Sequence, residues 1–399
     1  MRIINNFLLI SITFIFSVNL SAQNKVYQSK EEDKYYKKLQ KKYTPFKPLD
    51  KEQILRYKSE YFEIHEHELD YEQSLKKYLT PYLDSIFSEM SAYEYQIQLF
   101  DFSRNEQISN IRKSQIIKCE RRDSIEAFIY ESRKLENEWF GEPGIWIGYS
   151  ENNGKNWSFY YTGIVQKQPI LLKYSFFRPL IKEKGKLQID ACLYRQLSDF
   201  EHPGMPTYEC IKDNLYVVFD MDVITRDSDC DGLTDIIEKK IHLNKFKKDT
   251  DSDGIPDIID LNPRINYPKT KKTKIYESIL YELIESNIDN GIRKLMYKEN
   301  PAYLMDSLKT ILIVTDSKDL MAIQPSKVRV IFLSSKEYKK NSNGYQTELN
   351  ELGFTPLFKV SSMKNTFKIN VSFNTGGYSY LVSKSGKEWI VELILQWIH

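Results

Sequence analysis

The 399-residue chain is poor in the residues on which catalysis usually turns. It holds five histidines and four cysteines, and no G-x-S-x-G, H-E-x-x-H, C-x-x-C or glycine-rich phosphate loop. Nucleophile-elbow hydrolases, zincins, dithiol redox enzymes and P-loop enzymes therefore find no support in it. Charge of one sign is equally scarce. With 57 basic and 55 acidic residues the chain carries +2, too little for a general attraction to nucleic acid or to an acidic membrane surface. Outside Phe7 to Val18 no apolar run approaches the length of a bilayer span. Glycine is missing from 50–137, where Pro81 is the only proline. With turn formers so few, the spacing predicts helix there, broken at Pro81.

What is present begins with a leader-like stretch. Met1 and Arg2 precede the apolar run, and Ser21-Ala22 stand before Gln23, which reads as a secretory signal peptide over 1–22. No cysteine stands at that cleavage point to take a lipid. The expectation is an exported mature chain with no transmembrane segment, in the periplasm, at the cell surface or outside the cell. A 41% hydrophobic and 28% charged composition fits ordinary globular domains with substantial cores.

The predicted architecture is an α+β multidomain chain. A helical region occupies 23–138, with Leu75, Tyr78, Leu79, Tyr82, Leu83 and Ile86 at helical spacing. On such a helix His65 and His67 point to different sides, which argues against zinc. An antiparallel β domain occupies 139–224, on the short aromatic runs 145–149, 157–164, 170–177, 187–194 and 215–219. Between the first two, Ser150 to Trp157 resembles an Asp-box, a hairpin brace of sialidase-like propellers, with Asn152 in place of the aspartate; Asn153-Gly154 is by itself a hairpin turn. A C-terminal α+β domain occupies 265–399, with a helix over 275–297 ahead of strands at 311–314, 328–333, 366–373, 378–383 and 389–397. Cys192 and Cys210 flank a loop holding His202-Pro203-Gly204, and a bridge across that hairpin is the first-choice disulfide in an exported chain.

Between the last two domains, 225–264 carries two acidic, glycine-centred stretches, DSDCDGLTDIIE and DTDSDGIPDIID. In the first, Asp227, Asp229 and Asp231 occupy positions 1, 3 and 5, followed by Gly232 for a sharp turn. Leu233 offers a backbone carbonyl, Asp235 reaches the ion through water, and Glu238 closes the sphere bidentately. The second places Asp249, Asp251, Asp253, Gly254, Ile255, Asp257 and Asp260 in the same slots. A hard cation wants six to eight oxygens, and five carboxylates in twelve residues repel one another unless a cation or protons neutralise them. Ca2+ is the expected cofactor. The closing Asp260 is shorter than Glu238, so the second loop is expected to bind the more loosely. Pro256 lacks the N–H through which paired EF-hand loops bridge.

At these residues, and over 227–263 alone, the chain resembles the thrombospondin type 3-like calcium repeats of bacterial secreted and envelope proteins. Asp249 to Pro263 is close to that family's consensus. In the spacer, where the family often has Gly-Thr-x-Pro, this chain has His242, Leu243, Asn244 and Lys245. The resemblance implies a module that ties calcium to shape and not an active site. The expected function is a non-catalytic, exported calcium-binding protein in which the ions stiffen the junction of two domains. Two alternatives stand beside it: a secreted glycan-acting hydrolase with calcium as a structural ion, since two carboxylates hide easily among 55 acids, and a module binding an envelope protein or glycan on its aromatic sheet.

Overall fold

The computed structural model describes residues 30–40, 48–68, 100, 102–109, 111, 113–132, 144–164, 168–174, 178–198, 207–283, 310–341, 350–373 and 376–398. The leader, the amphipathic pattern over 71–87 and the His202-Pro203-Gly204 loop lie outside them. The chain divides into two compact units. A C-proximal unit takes Met1–Phe46, Asp249–Lys294 and Leu308–His399; an N-proximal unit takes Lys47–Lys248 and Leu295–Ser307. The first described element, α1 (Lys30–Gln40), belongs to the C-proximal unit.

The N-proximal unit is built on strands. Helix α2 (Lys51–Leu55) is capped by Asp50, which accepts from the Glu52 amide at 2.7 Å. Strand β1 (Glu63–Glu66) follows, then β2 (Ile116–Arg122), β3 (Ile125–Ser132), β4 (Gly144–Ser150) and β5 (Ser158–Tyr161), the last four forming one antiparallel sheet in chain order. Strands β6 (Ile170–Lys173), β7 (Ile181–Glu183), β8 (Lys186–Gln196) and β9 (Tyr208–Asp220) form the second, in the order β1-β9-β8-β6 with β7 also on β8.

Among the described residues a helical region over 23–138 is not supported, although Lys30–Gln40, Lys51–Leu55 and Glu106–Ser109 are helical. Residues 63–66, 116–122 and 125–132 are strands. The missing glycine misled because the β2–β3 hairpin turns at Asp123-Ser124 with Asp123 itself at φ 55, a conformation aspartate tolerates. Extended backbone also replaces the helical argument against zinc: His65 on β1 and His67 just past its end stack on Tyr216 with ring centroids 5.1 and 4.7 Å away.

The β4–β5 hairpin is braced as the Asp-box likeness implies. Ser150 Oγ donates to Asn152 Oδ1 at 3.0 Å, the Asn156 amide donates to the same oxygen at 2.9 Å, and Trp157 Nε1 donates to the Gly154 carbonyl at 3.1 Å. All four cysteines are free thiols. The Cys192 and Cys210 thiols are not bonded covalently, but they are neighbours joined by a side-chain hydrogen bond across the irregular β8–β9 pairing, so the expected bridge stands as a proposal.

The short helix α3 (Asp235–Lys240) ends the first acidic loop in the N-proximal unit, and the helix α4 (Lys271–Leu283) belongs to the C-proximal unit. Strands β10 (Thr310–Val314), β11 (Arg329–Leu333), β12 (Asn350–Phe354), β13 (Phe358–Lys359), β14 (Thr366–Phe373), β15 (Gly376–Ser385) and β16 (Glu388–Ile398) make a seven-stranded sheet, ordered β11-β10-β12-β14-β15-β16 with β13 on β14. Its antiparallel meander β14–β16 joins a parallel set, because β10 pairs parallel with both β11 and β12. Strands β10 and β11 are buried on both faces, as parallel strands usually are. Helix α4 packs on β16. Helix α1 seats Glu32 on this sheet, 2.9 Å from Lys368 Nζ and 3.0 Å from Asn370 Nδ2.

Candidate metal centre

The two acidic stretches fold alike. In the first, Asp227 Oδ1 accepts from the Cys230 amide at 2.7 Å and its Oδ2 from the Gly232 amide at 2.9 Å. Asp229 Oδ1 accepts from the Asp231 amide at 3.1 Å, and Asp231 Oδ1 from the Leu233 amide at 2.7 Å. In the second, Asp249 takes the Ser252 amide at 2.7 Å and the Gly254 amide at 2.8 Å, Asp251 the Asp253 amide at 3.1 Å, and Asp253 the Ile255 amide at 2.8 Å. Positions 4 and 6 are left-handed in both: Cys230 at φ 60 with Gly232 at 101, and Ser252 at 63 with Gly254 at 95. The tight backbone coil turns one carboxylate of each odd position inward. The result is two triads, Asp227-Asp229-Asp231 and Asp249-Asp251-Asp253, whose offered oxygens lie within 4.8 Å of one another.

The ninth position does something the spacing did not disclose. Asp235 takes the Ser228 amide at 2.8 Å and the Ser228 hydroxyl at 2.9 Å, one on each oxygen, and Lys245 Nζ reaches Oδ2 at 3.0 Å. Asp257 clasps Thr250 in the same way, at 2.9 and 2.6 Å. These two carboxylates tie the ninth residue back to the second and keep the coil closed. Their signal was legible, since both stretches carry Ser or Thr at position 2. Leu233 is buried and Ile255 exposed, so only their backbone is common to the two sites.

The twelfth position closes each cradle. Glu238 is fully buried and Asp260 is 2% exposed. In both loops the amide of residue 12 donates to the carbonyl of residue 8, Glu238 to Thr234 and Asp260 to Pro256, each at 3.0 Å. Pro256 therefore sits where a turn of helix begins and no N–H is needed. In the first loop the helix α3 runs on from there and is followed by His242 at φ 59, in the left-handed position that often closes a helix; the Leu243 amide bonds back to the Glu238 carbonyl at 2.8 Å.

Burial and crowding raise the acids. Asp251 is pushed up to about 6 by burial and by the neighbouring Asp253, Asp260 and Asp249 carboxylates; Asp260 rises to about 6 by burial and by Asp253 and Asp257, partly offset by Arg329. Asp229 is also raised, by burial and Asp227. Asp235 feels burial too, but the bonds from Lys245 and Ser228 bring it below the ordinary range. Asp229 Oδ2, Asp251 Oδ2 and Asp260 Oδ2 are buried and receive no hydrogen bond. Buried carboxylate oxygens with no donor, facing other carboxylates, are what a hard cation with all-oxygen ligands would satisfy. The residues present fit calcium.

Four cations that sequence spacing could not find hold these loops in place. Lys240, just past Glu238 and 6% exposed, lies over Tyr161 and Trp146 with its Nζ 4.3 and 5.6 Å from the ring centres. Lys248 Nζ donates to the Cys230 carbonyl at 2.8 Å. Lys245 is the partner of Asp235. Behind the second loop stands Arg329, fully buried on β11. No known family, curated protein or solved structure matches this chain.

Proposed function

We propose that the protein is a non-catalytic calcium-binding protein of an exported compartment, holding one ion in each acidic loop. The observation that carries this reading is the duplication. Two stretches with different side chains at positions 2, 4, 7, 8 and 12 adopt one backbone coil with the same carboxylate-to-amide bonds at positions 1, 3 and 5, and both bury the closing acid. A solvated acidic turn has no reason to repeat a geometry that costs mutual repulsion. Calcium at millimolar concentration outside the cytoplasm suits modest affinities, of about 10⁻⁴ to 10⁻³ M or better.

The proposed role is mechanical. The chain passes between the two units at Lys248–Asp249, and the loops lie on either side of that step, at Asp227 to Glu238 and Asp249 to Asp260. An ion in each would stiffen the chain as it leaves one unit and enters the other. Among the described residues no helix is long and apolar enough to cross a membrane. Titration calorimetry of chelator-stripped protein tests the reading: about two ions should bind, and an absence of heat would end it. Chelation should also open the stretch from Asp227 to Lys274 to protease. An unchanged cleavage pattern would leave the ions bound but remove the mechanical role.

A further inference from the structure

The second loop closes with the shorter acid, and its exit is only one turn long. Where α3 supplies intrahelical partners to the first loop's exit, the carbonyls of Asp257, Ile258 and Asp260 have a different donor. Arg329 Nη2 donates to Asp257 at 3.1 Å and to Ile258 at 2.8 Å, and its Nε donates to Asp260 at 3.2 Å. The next residues are held as firmly: the Val330 amide donates to the Leu261 carbonyl at 2.8 Å, and Asn262 Nδ2 donates to the carbonyls of Met321 and Ile323 at 3.0 and 2.9 Å. The guanidinium thus gathers the backbone on both sides of Asp260 and pins it to the edge of β11.

We propose that Arg329 is the positioning residue that sets the cation affinity of the second loop, by fixing the backbone from which Asp260 reaches the ion. This rests on the calcium reading above. A glutamate can adjust through an extra methylene to meet the ion. An aspartate has less reach, so its backbone must be placed for it, and a planar fork with several donors places three carbonyls where an ammonium would hold fewer. Groups behind a metal ligand typically change affinity 10- to 100-fold when removed.

The experiment uses the full chain carrying Asp231→Ala, so that only the second loop can load, and compares Arg329→Lys, Arg329→Gln and a control, Arg264→Gln. Arg264 also bonds β11, through the Phe332 carbonyl, and pairs with Glu337 at 3.0 Å, but touches neither loop in those contacts. Calorimetric calcium affinity and the calcium-free melting temperature are read for each. The expected result is about a 10- to 100-fold weaker Kd for Arg329→Gln, a smaller loss for Arg329→Lys and none for Arg264→Gln. If the Asp231→Ala parent takes up no calcium, the calcium reading of the second loop falls and this proposal with it. If the parent binds and Arg329→Gln binds as tightly, the positioning role alone is overturned. Equal weakening by Arg329→Gln and Arg264→Gln would overturn it too, as a general loss of stability in the unit. So would failure of both Arg329 variants to fold in millimolar calcium, which would make the residue a core requirement instead.

Discussion

The two loops share a cradle and differ in how it is closed. Over positions 1 to 9 they share the same carboxylate-to-amide bonds from residues 1, 3 and 5, down to the hydroxyl of residue 2 on the carboxylate of residue 9. Beyond position 9 they part. The first ends in a long ligand, Glu238, on the helix α3 and is tied to its unit by Lys240 against two aromatic rings. The second ends in a short ligand, Asp260, on one turn that a buried arginine grips from β11. The lesson is a division of labour: twelve local residues suffice to shape the carboxylate triad, while the geometry of the closing acid is delegated to each unit's own core.

That division can be broken outright by removing the ions. A site filled at about 100 times its Kd stabilises the folded state by roughly 2.7 kcal/mol. Chelation should therefore lower the melting of both units, because each loop belongs to one of them. Calorimetric scanning in chelator and in calcium checks this; a change confined to one transition would mean that only one loop is loaded. Next in size are single-site losses. Asp231→Ala and Asp253→Ala should each remove one calorimetric binding event and leave the other, with the event surviving in Asp253→Ala the tighter, since Glu238 closes that site.

Acid should separate the loops further. In the metal-free protein Asp251 and Asp260 are held at about 6, above an unfolded value of about 3.9. Each thus favours the folded apo state fully below about pH 4, an advantage lost as pH rises through about 6. Calcium needs both carboxylates ionised, so its binding carries the opposite dependence. Between pH 7.5 and 5 the second loop should lose affinity steeply, by about tenfold or more. The first, where a raised Asp229 is set against a lowered Asp235, should lose less. Calcium titrations of Asp231→Ala and Asp253→Ala at both pH values check it, and equal losses would deny the difference.

Gly254→Ala tests the cradle by its backbone alone. A Cβ there would meet nothing within 4 Å, yet φ is +95, so the whole cost is conformational, about 1–3 kcal/mol. It should appear as a lower melting temperature of the C-proximal unit and a weaker second site, with the first site untouched.

Most of the cradle was legible because it is local. Acids at alternate positions, glycine at the sixth and a buried acid at the twelfth all follow from the needs of a hard cation. The strands on both sides of the loops were legible on other grounds, since β4, β9, β11, β14, β15 and β16 fall on the aromatic and β-branched runs. Residues 116–132 depart from the helical expectation because their hairpin turns on Asp123, which adopts a positive φ without glycine. The parallel pairing of β10 with β11 and β12 was hidden because strand direction is set by distant partners. Arg329 and Lys240 were invisible for the same reason. Nothing within reach of the sequence window around either marks it as the anchor of an acidic loop.

The smallest expected effect tests the first loop's anchor. Lys240 is nearly buried, and its ammonium lies 4.3 Å from the centre of the Tyr161 ring; a cation over a ring face contributes about 0.5–2 kcal/mol, the larger figure where water is excluded. Lys240→Met keeps the length and apolar bulk of the stem and removes the charge, so the packing under α3 should survive. The expected outcome is a modest fall in the melting temperature of the N-proximal unit, with the first loop's calcium affinity changed less than severalfold, because the intrahelical bonds of α3 still place Glu238. Here the contrast with Arg329 is sharpest, since one anchor secures a helix that already has its own bonds and the other supplies bonds that are otherwise missing. Should Lys240→Met weaken calcium in the first loop as much as Arg329→Gln weakens it in the second, the two loops would be closed by the same means after all, and the length of the twelfth side chain would not be what distinguishes them.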